Sequence, residues 1–128
     1  MNSFIIKSYA KVNLALNIIG KKTKLHKIES LISFIELHDL ISFKKINKES
    51  HKVIFKGRFS KNISKKNTVT SLLQLLDNRN LLNNQKYEII IIKNIPQESG
   101  MGGGSMNAAS IINFFIKKKI FKINKNEL

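Results

Sequence analysis

Four of the chain's six glycines fall between Gly100 and Gly104, and a helix-like run follows at once in PQESGMGGGSMNAASIINFF, from Pro96 to Phe115. Without Cβ atoms a chain reaches positive φ and lets a bulky group come close to its amides. The first turn of the following helix leaves N–H groups unpaired at the positive end of the helix dipole. A glycine bend entering a helix is therefore a place for an anion, most often a phosphate.

Length and composition bound the rest. A chain of 128 residues suits one domain with a real core. It contains no cysteine, and His26, His38 and His51 lie too far apart in sequence for a metal-ligand cluster, so no metal site of its own is expected. The aliphatic run from Ile89 to Ile92 is far below a membrane span, and the segment from Met1 to Lys11 lacks a signal-peptide core. These features lead us to expect a soluble cytoplasmic protein without membrane partners. The formal charge of +15 raises nucleic acid as a partner, but the 23 basic residues are 21 Lys and 2 Arg, beside 21 Ile and 15 Asn. That joint excess is what codons poor in G and C produce, and base reading favours Arg. A solvated lysine surface is the preferred reading, with a basic RNA-binding module as the rival.

Hydrophobic spacing orders the chain. Val12, Leu14, Leu16 and Ile18 alternate within a segment from Ser3 to Ile19, which predicts a strand; Ile28, Ser30, Ile32 and Phe34 predict a second, and Leu40 to Ile46 a third. His51 to Lys56 predicts a fourth. At Asn67 the period changes. Val69, Leu72, Leu73 and Leu76 sit at helical spacing, with Asn67 or Thr68 available as N-cap. Tyr87 to Lys93 predicts a buried strand ending near Pro96. Beyond the glycines, Ser105 is expected to cap a helix with an apolar stripe of Ala108, Ile111, Ile112 and Phe115, its carboxyl end complemented by Lys117, Lys118 and Lys119. This order predicts an α+β domain without internal repeats.

Spacing also sorts the glycine loop. Counting from Gly100, Ser105 and Met106 fall where a Walker A loop needs Gly and Lys, so that motif fails. Gly100 and Gly102 start a dinucleotide pattern, but Ser105 stands where its third glycine belongs and no full βαβ unit follows. A ligand-free turn remains as the plain alternative, at an entropic cost that a simple turn need not carry.

Two separated segments carry a resemblance. KNIPQESGMGGGSMNAA, from Lys93 to Ala109, resembles the phosphate-binding loop of the galactokinase, homoserine kinase, mevalonate kinase and phosphomevalonate kinase (GHMP) family. SYAKVNLALNIIGKK, from Ser8 to Lys22, is similar to an opening strand in the branch acting on 4-diphosphocytidyl-2-C-methyl-D-erythritol. The segments starting at Leu25 and Asn67 resemble its intervening stretches, so the likeness spans nearly the whole chain. It implies an amino-terminal GHMP kinase domain over residues 1–128: a mixed sheet with helices on one face, related in shape to ribosomal-protein domains. The implied reaction transfers the γ-phosphoryl of ATP to the 2-hydroxyl of that small molecule, in non-mevalonate isoprenoid synthesis, with Mg2+ arriving on ATP.

The residue roles are likewise implied by resemblance. Pro96, Gly100, Met101, Gly102, Gly103, Gly104 and Ser105 form the cradle for the ATP phosphates, and Met106 replaces a usual serine. Lys11, by itself an ordinary surface lysine, becomes the catalytic cation that stabilises charge on the moving phosphoryl. Asn13 and His26 become substrate contacts; His26 is preceded by Leu25 where the family carries an aromatic. Asn67 and Lys93 fall on the adenine side. The family's general-base aspartate and second domain are expected beyond Leu128, so the chain alone is expected to lack turnover. Another GHMP small-molecule kinase stays an alternative, and oligomeric state is not legible.

Overall fold

The computed structural model describes residues 3–10, 36–96 and 103–121. Lys11, Asn13, His26, Gly100, Met101 and Gly102 lie outside the described residues, as do the strands expected around Val12–Ile18 and Ile28–Phe34. Four strands and two helices follow in order: β1 (Phe4–Tyr9), β2 (His38–Ile46), β3 (Lys52–Lys56), α1 (Thr68–Asn78), β4 (Lys86–Ile92) and α2 (Gly103–Lys117). The sheet order is β1-β2-β4-β3. Strands β1 and β2 are antiparallel, as are β2 and β4, whereas β3 and β4 run parallel and are joined through α1. A parallel pair needs such a crossover, since a tight turn can join only antiparallel neighbours.

Strand alternation builds one buried face. Phe4, Phe43, Ile89 and Val53 lie in register across the sheet, with Ile6, Ile41, Ile91 and Phe55 in the next inward row. Both helices cover this face. Val69, Leu73 and Leu76 of α1 and Ile111, Phe114 and Phe115 of α2 join Ile41, Phe43, Tyr87, Ile89 and Ile91 in one core. Phe114 stacks on Phe43 with ring centroids 4.0 Å apart, a contact the expected stripe did not include. Ala108 and Ile112 are only half-buried, because Asn107 and Phe114 take the inward positions instead.

Strand β4 also departs from expectation. It buries Tyr87, Ile89 and Ile91, while Ile92 on the other face is 37% exposed, so it is a one-sided strand. The charged row Lys44, Glu88 and Lys52 borders this outer face, whose Ile5 is 70% exposed.

Local chemistry explains the element ends. Asn67 caps α1: its side chain accepts from the amides of Val69 and Thr70, at 3.1 and 3.0 Å, and the Thr70 hydroxyl accepts from the Asn67 amide at 3.1 Å. This reciprocal box satisfies orphan donors of the first turn. Past α1, Asn80, Asn83 and Asn84 hold positive φ, which asparagine tolerates better than most residues. His51 ties this end together. Its Nδ1 accepts from the Tyr87 amide at 3.0 Å, which leaves Nε2 to donate to Asp77, and Lys86 also bonds Asp77 at 3.0 Å. At the far end of α2, Lys117 lies in the last turn and the Lys118 ammonium sits 4.3 Å from the centre of the Phe4 ring. No helix among the described residues is long and apolar enough to cross a membrane.

Candidate nucleotide site

The same alternation that fills the core places polar side chains at one end of it. Ser8 follows Phe4 and Ile6 on the inward face, Asp39 precedes Ile41 and Phe43, and Ser8 and Asp39 are register partners. Lys93 continues the inward series of Ile89 and Ile91 one step past β4, and Asn107 stands one helical turn before Ile111. All four are buried, with Lys93 only 4% exposed. They meet. The Lys93 ammonium donates to Asp39 at 2.6 Å and to Asn107 Oδ1 at 2.8 Å, and Asn107 Nδ2 donates to Asp39 and to Ser8 Oγ, each at 3.0 Å. The hydroxyls of Ser8 and Ser110 lie 3.0 Å apart. No buried side-chain nitrogen or oxygen among the described residues lacks a partner.

Around this cluster the chain passes from β4 toward the glycines. The Lys93 amide donates to the Lys56 carbonyl at 2.7 Å, and the Phe59 amide donates to the Lys93 carbonyl at 3.3 Å. Gly57 makes that approach possible. Its φ is +97°, and a Cβ there would stand 3.0 Å from both the nitrogen and the oxygen of Lys93. Pro96 is half-buried just beyond Ile95, and the described chain resumes at Gly103.

Helix α2 begins at Gly103, two residues before the expected start, so Ser105 lies inside its first turn and is not the N-cap. Gly104 explains how tightly the start is packed: a Cβ there would be 2.9 Å from Thr68 Oγ1, at the first residue of α1. The amino-terminal turns of both helices therefore lie side by side. Neither carries an acidic side chain in its first turn, and whereas the Asn67 side chain takes up the Val69 and Thr70 amides of α1, no side chain among the described residues is seen capping α2. Such a junction favours an anion.

The structure thus brings Asn67, Lys93, Pro96, Gly103, Gly104 and Ser105 to one end of the domain, by different means. Asn67 Oδ1 is engaged by the helix cap and its Nδ2 donates to the Ser64 carbonyl at 2.8 Å. The Lys93 ammonium points into the core. Ser105 is exposed. The sequence reading does not single out Ser8, Asp39 and Asn107, although a signal exists for two of them: Ser8 and Asp39 each interrupt an apolar alternation at an inward position.

Comparison with known proteins agrees with this architecture. Residues 67–128 match the family model described as the GHMP kinases N terminal domain. Over 127 residues, or 99% of the chain, the sequence is 68% identical to a 4-diphosphocytidyl-2-C-methyl-D-erythritol kinase of Pelagibacter ubique, covering 45% of that protein. A kinase of the same description from Thermosipho africanus is 34% identical over 98% of the chain and 43% of its own length. The chain spans less than half the length of these relatives. Among solved structures, a 4-(cytidine 5'-diphospho)-2C-methyl-D-erythritol kinase aligns with a TM-score of 0.50 at 21% identity, over 69% of this chain and 30% of that one. A homoserine kinase from Cytophaga hutchinsonii aligns with the same TM-score at 24% identity, over 68% of this chain and 28% of its own. These two likenesses speak for the fold. Taken with the mixed sheet and the helices on one face, they agree with the match of residues 67–128 to the N-terminal domain of the GHMP kinases, the family whose members this chain is similar to.

Proposed function

We propose that this chain is the ATP-binding part of a kinase that phosphorylates the 2-hydroxyl of 4-diphosphocytidyl-2-C-methyl-D-erythritol in the cytoplasm, as a step of isoprenoid precursor synthesis. The observation that carries the reading is 68% identity across 99% of the chain to a kinase named for that substrate. The junction of two helix starts supports it physically. In such a kinase the chemistry is chiefly one of position and charge.

In this reading Gly100, Met101, Gly102, Gly103 and Ser105, entered through Pro96, hold the ATP phosphates with backbone amides and the dipole of α2. Gly104 belongs to the same turn, but its bare α-carbon faces Thr68, so it serves the helix contact that shapes the cradle. Asn67 and Lys93 contribute to the adenine side by shaping the backbone there, since their polar side-chain atoms bond within the protein. Lys11 stabilises the phosphoryl in transfer, while Asn13 and His26 hold the substrate. Magnesium carried on ATP would supply partial neutralisation of its phosphate charge.

Two measurements test the proposal. The chain is titrated with ATP and with a generic RNA at moderate and high salt: saturable ATP binding is expected, whereas salt-sensitive RNA binding without ATP binding would establish the RNA-module alternative. The chain is then joined to the carboxyl-terminal half of a related kinase and assayed for ATP-dependent phosphorylation of 4-diphosphocytidyl-methylerythritol. A well-folded joined protein without turnover would sink the substrate assignment.

A further inference from the structure

We propose that Asp39 is a positioning residue for the glycine run, holding both of its banks with one buried carboxylate; the inference rests on the ATP-binding reading above. Asp39 is 0% exposed and lies on β2, outside the loop and both helices. Its Oδ1 accepts from the amides of Asn94 and Ile95, at 2.6 and 2.9 Å, on the bank before Pro96. Its Oδ2 accepts from the Lys93 ammonium at 2.6 Å and from Asn107 Nδ2 at 3.0 Å, the latter on the bank formed by α2. Four donors from both sides of the loop thus converge on one side chain. The Asn94 side chain also donates to the His38 carbonyl at 3.1 Å, which fastens the first bank to β2 a second time.

The arrangement is hard to account for as a stability device alone. A buried ion pair gains little over well-packed apolar side chains of the same volume, because desolvation offsets the attraction. What this pair adds is direction. Each Asp39 oxygen has fixed lone-pair geometry, and a carboxylate accepting several donors sets their relative positions more sharply than apolar packing does. Asp39 thereby sets the position of Ile95 relative to α2, the two ends that residues 96–102 connect in the chain.

Single removal of Asp39 strands the Lys93 ammonium in the core, so two double variants of the whole chain make the comparison. Asp39→Leu with Lys93→Met abolishes the clamp without leaving a buried charge. Asp39→Asn with Lys93→Met keeps an Oδ1 acceptor for Asn94 and Ile95; its Nδ2 takes the place of Oδ2 opposite the Asn107 amide, which turns over to present its oxygen once Lys93 no longer holds it. Calorimetric titration with ATP and with adenosine reads the phosphate contribution as the ratio of the two affinities. The Leu/Met variant is expected to lose about tenfold of that ratio, the scale of one or two hydrogen-bond contacts misplaced, while any change in adenosine affinity caused by Lys93→Met is common to both double variants. The Asn/Met variant is expected to stay within about threefold of the parent. A purely structural role predicts that both variants keep the ratio at any temperature where they are folded, and that result overturns the proposal. Should the Leu/Met variant not fold, Asn107→Ala, which frees only the α2 bank, carries the same expectation and the same refutation. A parent chain without preference for ATP over adenosine removes the ATP-binding reading, and this inference with it; a parent with that preference and variants that share it removes the inference alone.

Discussion

Substituting Gly104 by alanine tests whether the two helix starts are locked together as closely as the structure shows. The added methyl would lie 2.9 Å from Thr68 Oγ1, nearer than Cβ atoms come to non-bonded oxygens. Thr68 cannot swing aside as a long side chain can, since its hydroxyl is one bond from a branched carbon. The first turns of α1 and α2 must therefore separate by several tenths of an ångström. Overpacking of this kind costs about 1–3 kcal/mol. Alanine returns part of that, about 0.5–1 kcal/mol, because glycine loses more backbone entropy in a helix. The net expectation is a loss of about 1 kcal/mol, or roughly 5 °C in melting temperature for a domain of this size. Thr68→Ser removes the branch, and in that background Gly104→Ala should be close to neutral, a coupling of about 1 kcal/mol between the two sites. Thermal and urea melts of the parent, both single variants and the double variant supply the cycle. A Gly104→Ala protein as stable as the parent, or equal losses with and without the Thr68→Ser change, would refute the argument that this contact is what demands glycine.

Three other outcomes follow from the same geometry. Asn67→Ala should cost about 1 kcal/mol through the lost cap, while Asn67→Asp keeps most of the stability; a folded Asp variant with much weaker ATP binding would show that the amide itself meets the nucleotide. Burial pushes the Asp77 carboxyl up, but hydrogen bonds from His51 and Lys86, with their charges, outweigh it and hold it below its ordinary 3.8. A lowered folded-state value means stability that is present above pH 3.8 and lost as pH falls through the folded value. Asp77→Asn should therefore be less stable at neutral pH and show a shallower acid limb in chemical melts; an unchanged acid limb refutes that account. On the proposed reading, in a full-length protein carrying this chain Lys11→Ala should reduce kcat far more than it raises the KM for ATP, and near-normal turnover would refute the catalytic role proposed for Lys11.

Features that depend on neighbours in the chain are legible in the order of residues alone. Val69, Leu73 and Leu76 mark α1 because a helix brings residues four and seven apart to one face, and Asn67 marks its start because its short side chain can reach the free amides of the first turn. The alternation in Leu40–Ile46 and Val53–Phe55 is legible for the same reason: side chains of a strand point to opposite faces in turn. The glycine run with its following helix pointed to phosphate, and its resemblance to the GHMP kinases agrees with the matched domain. Its local reading erred where packing overrode it. Ser105 is a good cap by chemistry, yet α2 begins at Gly103, where Gly104 can lie against Thr68.

Contacts between residues far apart in sequence come from the packing of the folded domain. Asp39 meets Lys93 and Asn107 across 54 and 68 positions, and Ser8 meets Asn107 across 99. No periodicity records such pairings, because each depends on the strand order β1-β2-β4-β3 and on which face the helices cover. Two of those residues, an aspartate and a lysine, are of types almost never fully buried unless paired. Their burial becomes tolerable only once the sheet places opposite charges 2.6 Å apart and supplies partners for their remaining hydrogen-bonding atoms, a condition that exists in the fold and nowhere in the one-dimensional chain.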